Sequence, residues 1–312
     1  MDKKYLGIDI GGTFIKIGIV DGEGNVSLRR EVPIDRSGNE AVMETLFRGI
    51  DGILSDSGLE PGDFEGFGVS SAGCIDTVKG CIAENGGNVP NWSFTSVTGP
   101  LSKRYNVRST IANDGNCVAL AEAWIGAAKG VRDVVCVVLG TGVGGGIISG
   151  GKLIEGTHGF GGEIGHFPTH AELLLTGEGK WASHYETYAS TNALVKRSQE
   201  AGLEWTNGRE VFNAAEAGDE DALKILDGWT TEIAAGITGF VHVFDPETVL
   251  IGGGVSAQTE LLIKPVRAKV LATATPDMAA GLDIKAAELG NNAGMIGAVK
   301  YLIDRIAGGQ LL

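Results

Sequence analysis

Apolar residues in this chain fall in short runs that end on glycine. The opening stretch YLGIDIGGTFIKIGIVDGEGNVSLRREVPI (5–34) carries β-branched residues at Ile8, Ile10, Ile15, Ile17, Ile19 and Val20. That pattern predicts a strand, a glycine turn, a second strand, and a third after the turn at Asp21–Gly24. Residues 39–56 change period: Val42, Leu46, Ile50, Ile53 and Leu54 share one helical face. FEGFGVSSAGCID (64–76) reads as a buried strand and turn. Residues 106–128 read as a strand, a polar corner and a helix starting near Asn116. Residues 132–154 read as two strands around the glycine loop LGTGVGGG (139–146). Helices are predicted over 183–201 and 219–243, the latter through Leu223, Ile225, Leu226, Ile233, Ile237 and Val241. TVLIGGGVS (248–256) is again a strand and a glycine turn, and a last apolar helix runs over about 293–306.

The segment 132–154 echoes 7–26: apolar strand, glycine turn with threonine, apolar strand, polar turn. An acidic residue stands in the turn region of the first copy only. Weak duplication of this kind predicts two related α/β lobes. The expected division is a first lobe over 1–122, a larger second lobe over 123–292, and a C-terminal helix, 293–312, returning to the first. No low-complexity linker separates them.

Composition narrows the function. The 312 residues carry 25 Lys and Arg against 39 Asp and Glu, a net charge of −14, with no basic block. Binding to nucleic acid or to anionic lipid is therefore not expected. An anionic ligand is not excluded, because backbone N–H groups bind phosphate locally. Cys74, Cys81, Cys117 and Cys136 form no close metal or redox pair. Cys117 and Cys136 have apolar neighbours, so reduced thiols and a cytoplasmic location are expected. No apolar leader precedes the first strand, and no apolar run approaches membrane-spanning length.

Three glycine loops carry candidate chemistry. In DIGGT (9–13), Gly11 and Gly12 remove Cβ atoms, Thr13 offers a hydroxyl, and Asp9 can hold Mg²⁺ directly or through water. Lys16 follows on the next strand. In LGTGVGGG, Thr141, Gly142 and Gly144 can form an anion nest. In IGGGVS (251–256), Gly253 and Gly254 let a nucleoside lie against the backbone. Each loop alone also reads as an ordinary turn. None has Walker A spacing, and none opens a helix as a dinucleotide-binding GxGxxG would.

Polar residues at strand and helix ends supply the rest. Asp114 can accept a hydroxyl proton while that oxygen attacks phosphorus, and Asn113 can orient a second hydroxyl; the pair also suits a helix cap. Glu163 and His166 in GFGGEIGHF can grip adjacent hydroxyls of a polyol, or mark a helix end or part of a metal site. Glu186, in SHYETYAST, can add a further acceptor or lie exposed to solvent.

With these residues in this order, the chain resembles the ROK family of bacterial sugar kinases. The resemblance rests on DIGGT, GVSSAGCID (68–76), ANDGNCVALAE (112–122), LGTGVGGGI, GGEIGH (161–166), ETYAS (186–190) and LIGGGVS (250–256). It implies an actin-like, ribonuclease H-like ATPase fold with a nucleotide and sugar cleft. It implies Asp114 as the catalytic base and sugar contacts from Asn113, Asp114, Glu163, His166 and Glu186. Gly73 and Asn88 are further candidates, although SSAG stands here where many members have a proline-containing turn. ATP and Mg²⁺ are the implied cofactors, and a homodimer the implied assembly.

The resemblance breaks at one point. Family members commonly carry CxCGxxGCxE before the last glutamate. Here Gly177, Gly179 and His184 occupy the three cysteine positions. Structural zinc is therefore not expected, despite His166, His170 and His184, and packing by Trp181 and Tyr185 is the expected brace. The expected function is ATP-dependent phosphorylation of glucose at its 6-hydroxyl. Kinases of N-acetylmannosamine, fructose, allose or a β-glucoside are the alternatives. A transcriptional repressor is disfavoured because DIGGT begins at residue 9, leaving no DNA-binding module before it. A non-catalytic sugar sensor is disfavoured by Asp114.

Overall fold

The computed structural model describes residues 3–84, 89, 92–176, 179 and 181–309. In chain order the first elements are β1 (Lys4–Ile10), β2 (Phe14–Asp21), β3 (Val26–Pro33), α1 (Asn39–Ser57), β4 (Phe67–Ser71), β5 (Cys74–Asp76), β6 (Cys81–Glu84), α2 (Thr98–Tyr105), β7 (Ser109–Asn113) and α3 (Asp114–Trp124). They continue with β8 (Val134–Leu139), β9 (Val143–Ser149), β10 (Lys152–Leu153), α4 (Glu186–Ala189), α5 (Thr191–Glu200), α6 (Gly208–Glu216) and α7 (Glu220–Phe244). The last are β11 (Thr248–Gly252), α8 (Lys264–Thr273), α9 (Pro276–Ala279), β12 (Asp283–Ala286) and α10 (Ala293–Ala307).

These elements form two compact units. One comprises Met1–Lys129, Leu153–Gly161 and Asn291–Leu312; the other comprises Gly130–Lys152 and Gly162–Gly290. A left-handed glycine lies at or within two residues of each of the four crossings: Gly130, Gly151, Gly162 and Gly290.

The first unit is built on a five-stranded sheet in the order β3-β2-β1-β4-β7. β1, β2 and β3 pair antiparallel, and β4 and β7 continue parallel to β1. The second unit repeats the plan as β10-β9-β8-β11-β12, with β8 antiparallel to β9 and parallel to β11, and β11 parallel to β12. Branched residues explain the strands: β1, β2, β4, β8 and β11 are buried along nearly all of their length, as expected of strands covered on both faces.

Glycines set the packing of the first unit. A Cβ on Gly297 of α10 would lie 1.7 Å from the Cys117 carbonyl oxygen on α3, and one on Gly68 of β4 would lie 2.3 Å from the Ala298 carbonyl oxygen. α10 thus seats its backbone against both neighbours. The apolar residues Met295, Ile296, Val299 and Leu302 are buried in that contact.

Two expectations need correction. The helix expected near Asn116 begins at Asp114, because the Asn113 side chain caps it by accepting from the Asn116 N–H at 3.2 Å. The single helix expected over 183–201 is two helices. Ser190 between them is extended, and its hydroxyl accepts from the Ala193 N–H. Its carbonyl takes the Trp229 indole N–H at 2.9 Å, and the following Thr191 N–H donates to the Gly140 carbonyl. Tertiary partners for these backbone groups outweigh continuity of the helix.

The tight α10 seat makes a stability prediction. Alanine at an open helical position gains up to about 1 kcal/mol over glycine, but overpacking a closed contact costs about 1–3 kcal/mol or more. Gly297→Ala should therefore lower stability by roughly 2 kcal/mol. Gly22→Ala, whose Cβ meets nothing within 4 Å, should change it little. Urea denaturation midpoints of the two variants check this; an unshifted midpoint for G297A would mean that α10 moves without cost.

Candidate active site

In the first unit the candidate groups collect at the carboxyl ends of β1, β4 and β7, where parallel sheets present ligand sites. Asp9, next to last in β1, stands opposite Lys16 across the β1–β2 hairpin. Its Oδ2 accepts from Lys16 Nζ at 3.3 Å and its Oδ1 from Ser70 Oγ at 2.9 Å. Gly294 in the first turn of α10 faces it, for a Cβ there would meet Asp9 Cγ at 2.6 Å. A carboxylate at a helix N-terminus is favoured by the helix dipole. Between the strands, Gly11 donates to the Phe14 carbonyl at 3.1 Å, and the Thr13 carbonyl accepts from Ile34 N–H. Gly12 lies in this turn, and Thr13 is exposed.

Asn113 and Asp114 sit where β7 gives way to α3. Besides capping α3, Asn113 donates through Nδ2 to the Gly73 carbonyl at 3.1 Å. Gly73 is held there in a left-handed conformation, φ 104°. Asp114 keeps partial solvent access, and its Oδ1 accepts from the Gly115 N–H at 2.9 Å. Its pKa is pushed up to about 6, first by desolvation and then by the negative charge of Asp9, against the opposing backbone hydrogen bond. Asn88 lies outside the described residues.

In the second unit a turn of three residues, Gly140 to Gly142, joins β8 to β9, with Gly140 donating to the Gly142 carbonyl at 3.0 Å. Thr141 is exposed, and Gly142 and Gly144 are partly so. Glu186, at the start of α4, lies against this turn. Its Oε2 accepts from the Val143 N–H at 3.3 Å, and a Cβ on Gly142 would come within 2.4 Å of the same oxygen. Gly165 lies as close to the neighbouring strand, where its Cβ would stand 2.1 Å from the Val143 carbonyl oxygen.

Glu163, His166 and Glu186 are thereby brought together. His166 Nδ1 is 3.9 Å from Glu163 Oε2, and its Nε2 is 3.8 Å from Glu186 Oε1. These are electrostatic contacts, longer than hydrogen bonds. All three side chains keep about a third of their surface open, 39% for His166 and 31% for each glutamate. Two carboxylate acceptors and an imidazole with a ring N–H to donate, converging and open to solvent, suit a neutral polyhydroxy ligand. Gly253 follows β11 directly at φ 96°, with its Cβ position 2.0 Å from the Leu139 carbonyl oxygen at the end of β8. Gly254 faces open space.

Sequence reasoning missed two neighbours. Ser70 orients Asp9, and its signal was a fully buried hydroxyl in an apolar strand. Trp181 was expected as packing, yet its indole is 44% exposed and stands 5.1 Å, ring to ring, from His166. Tyr185 does pack: it is fully buried and its hydroxyl donates to the Ile233 carbonyl at 2.9 Å. Of the three positions where the resemblance would place zinc cysteines, 177 lies outside the described residues, 179 is glycine, and His184 makes ring contacts with His166 and Trp181. Among the described residues no three His, Cys, Asp or Glu side chains are gathered to hold a metal ion. None of the described helices is long and apolar enough to cross a membrane.

Comparison with known proteins supplies the context. The glucokinase of Thermotoga maritima is 32% identical, with 98% of this chain and 99% of that protein covered. A β-glucoside kinase of Listeria monocytogenes is 28% identical over 96% of this chain and 98% of its own. The crystal structure of a ROK family glucokinase from Streptomyces griseus, in complex with glucose and AMPPNP, matches with a TM-score of 0.78 at 29% identity, covering 96% of this chain and 98% of that one. The fold is thus the actin-like ATPase fold of the ROK sugar kinases, with the two similar sheets as its halves. The family description for ROK matches residues 5–305, and with the relatives at this identity and coverage it establishes that the chain belongs to the ROK family.

Proposed function

We propose that this ATP-dependent sugar kinase transfers the γ-phosphate of ATP to the 6-hydroxyl of glucose, with Asp114 as general base. The observation that carries the reading is Asp114 itself. It is a carboxylate at the end of a parallel strand, mostly removed from water, with a pKa raised to about 6. A base poised just below neutral pH is ionised in the cell, yet basic enough to take a hydroxyl proton. The relatives named glucokinase favour glucose over other hexoses as acceptor.

The reaction follows from the groups in each unit. Asn113 and Asp114 of the first unit engage acceptor hydroxyls, and Glu163, His166 and Glu186 of the second grip hydroxyls through directional hydrogen bonds. Asp114 accepts the proton of the attacking oxygen as its bond to the γ-phosphorus forms and the bond to ADP breaks. The turns at Gly12–Thr13 and Thr141–Gly142 offer backbone N–H groups to the phosphates, and Gly253–Gly254 accommodates the nucleoside. Asp9 fits a magnesium ion that arrives with ATP. It is a lone carboxylate already sharing its oxygens with Lys16 and Ser70, suited to a cation ligated mainly by phosphate and water. When bound, that ion neutralises charge on the transferred phosphate. The enzyme is proposed to act as a cytoplasmic homodimer, which light scattering of the purified protein would check.

Turnover of ATP to ADP with glucose, N-acetylmannosamine, fructose, allose and cellobiose tests the acceptor. Glucose should give the highest kcat/KM, and Asp114→Asn should lower it by about 10²-fold or more. A different preferred sugar overturns the glucose reading alone; turnover retained by D114N overturns the base.

The acid limb of kcat/KM should titrate near pH 6, with activity lost as Asp114 takes up its proton. Stability runs the other way. The folded pKa lies above the unfolded value of about 4, so the folded state binds the proton more tightly. Ionisation therefore costs stability, with no cost below about pH 4 and the full cost above about pH 6. D114N should raise the melting temperature at pH 7.5 and leave it nearly unchanged at pH 4. An equal gain at both pH values would trace the effect to packing instead of charge.

A further inference from the structure

The loop between His166 and Glu186 contains one short helical turn, Ala171–Leu173, among its described residues. Both ends of this loop carry candidate sugar contacts. A long irregular segment is a poor platform for directional hydrogen bonds unless something fastens it.

His170 is placed to do so. Its Nδ1 lies 3.0 Å from Glu172 Oε1 on the same loop, and its Nε2 lies 3.3 Å from Glu232 Oε2 on α7. Ionised carboxylates only accept, so both contacts are hydrogen bonds when the ring carries both protons. The other oxygen of Glu232 accepts from Arg197 of α5 at 3.1 Å. The imidazole is stacked on Tyr188 of α4, with ring centroids 3.6 Å apart. Tyr188 in turn donates its hydroxyl to the Ala182 carbonyl at 2.8 Å, on the far limb of the loop.

The backbone around His170 closes the same loop. Thr169 and His170 both donate to the Ser183 carbonyl, at 3.0 and 3.3 Å, and Tyr185 donates to the Phe167 carbonyl at 2.8 Å. Pro168 and His184 form an antiparallel bridge. The two limbs are thus zipped together immediately beside His166 and Glu186. Tyr185 and Phe167 anchor the base apolarly on Phe240, about two turns beyond Glu232 on α7. His170 adds a polar side-chain link to α7 beside that of the Tyr185 hydroxyl.

We propose that His170 is a positioning residue for the sugar site: it clamps the loop to α7 and so fixes His166 and Glu186 in register. This rests on the reading of those two residues as sugar contacts. His170 itself lies in the bracing network and touches no reacting atom in the mechanism.

The test compares wild type, His170→Gln and His170→Arg by amide hydrogen exchange over 167–176 and 181–185, and by kinetics. Glutamine cannot supply a cation. Arginine keeps a planar cation that bonds carboxylates and stacks on tyrosine. H170Q is expected to exchange faster in both limbs and to raise the sugar KM about tenfold, with the ATP KM within about twofold. H170R is expected to restore both readouts toward wild type. Unchanged loop exchange in H170Q, or faster exchange with an unchanged sugar KM, overturns the proposal. So does a parallel rise in both KM values with a lowered melting temperature, which marks general destabilisation. If wild type turns over none of the sugars while exchange responds to H170Q, the sugar reading fails and takes the positioning role with it, leaving only a structural clamp.

Discussion

Close contact between backbone segments is the constraint on which both halves of the candidate site depend. In the second unit, Gly165 must approach the Val143 carbonyl and Gly142 must approach the Glu186 carboxylate. That lets one glutamate hold the Val143 N–H beside the β8–β9 turn while facing His166. The β8–β9 turn and the Glu163, His166 and Glu186 cluster are therefore one piece of structure. In the first unit Gly294 plays the corresponding part, bringing the first turn of α10 onto Asp9. A methyl group at any of these points would separate elements whose chemistry has to act together, in interiors packed too densely to absorb it.

The scaffold beneath the second-unit site is a single helix. α7 supplies Trp229 to the Ser190 carbonyl, Glu232 to His170 and Arg197, the Ile233 carbonyl to Tyr185, and Phe240 to the rings of Phe167 and Tyr185. Twenty-five residues of regular helix thus carry a segment with one short helical turn among its described residues. This explains how an irregular loop can present charged groups at defined spacing. The stiffness resides in the helix, and the loop borrows it through side chains. Desolvation of Asp114 in the first unit is the opposite case. There the fold holds a carboxylate in a place that disfavours its charge, the kind of perturbation that gathers at functional sites.

Much of this was legible from periodicity. The helical face of 219–243 corresponds to α7, and the alternation of apolar runs with glycine turns corresponds to the two similar sheets. What escaped was decided by tertiary partners. Ser190 breaks a helix because an indole, a turn carbonyl and its own hydroxyl all compete for the local backbone. No window of sequence around 183–201 contains Trp229 or Gly140. Ser70 looks like an ordinary strand residue until register places it beside Asp9, opposite the Lys16 side. His170 was visible only as a histidine left over from a missing zinc pattern, and its role in the fold depends on Glu232, sixty-two positions away.

The identity of the sugar is hard to read for a related reason. On the proposed reading, Glu163, His166, Glu186 and Asn113 recognise hydroxyl groups, and hexoses differ mainly in where those groups point. Residue type specifies that a polyol is gripped; angles specify which one. On the positioning role proposed for His170, those angles follow the seating of the 167–185 segment on α7, since it joins His166 to Glu186 along the chain. The exposed indole of Trp181 beside His166 adds an apolar face at the same edge. On the reading proposed above, side chains outside the hydrogen-bonding set, Trp181 among them, add to the choice among hexoses and glycosides, in the stretch where Gly177, Gly179 and His184 stand in place of the ROK pattern's zinc cysteines.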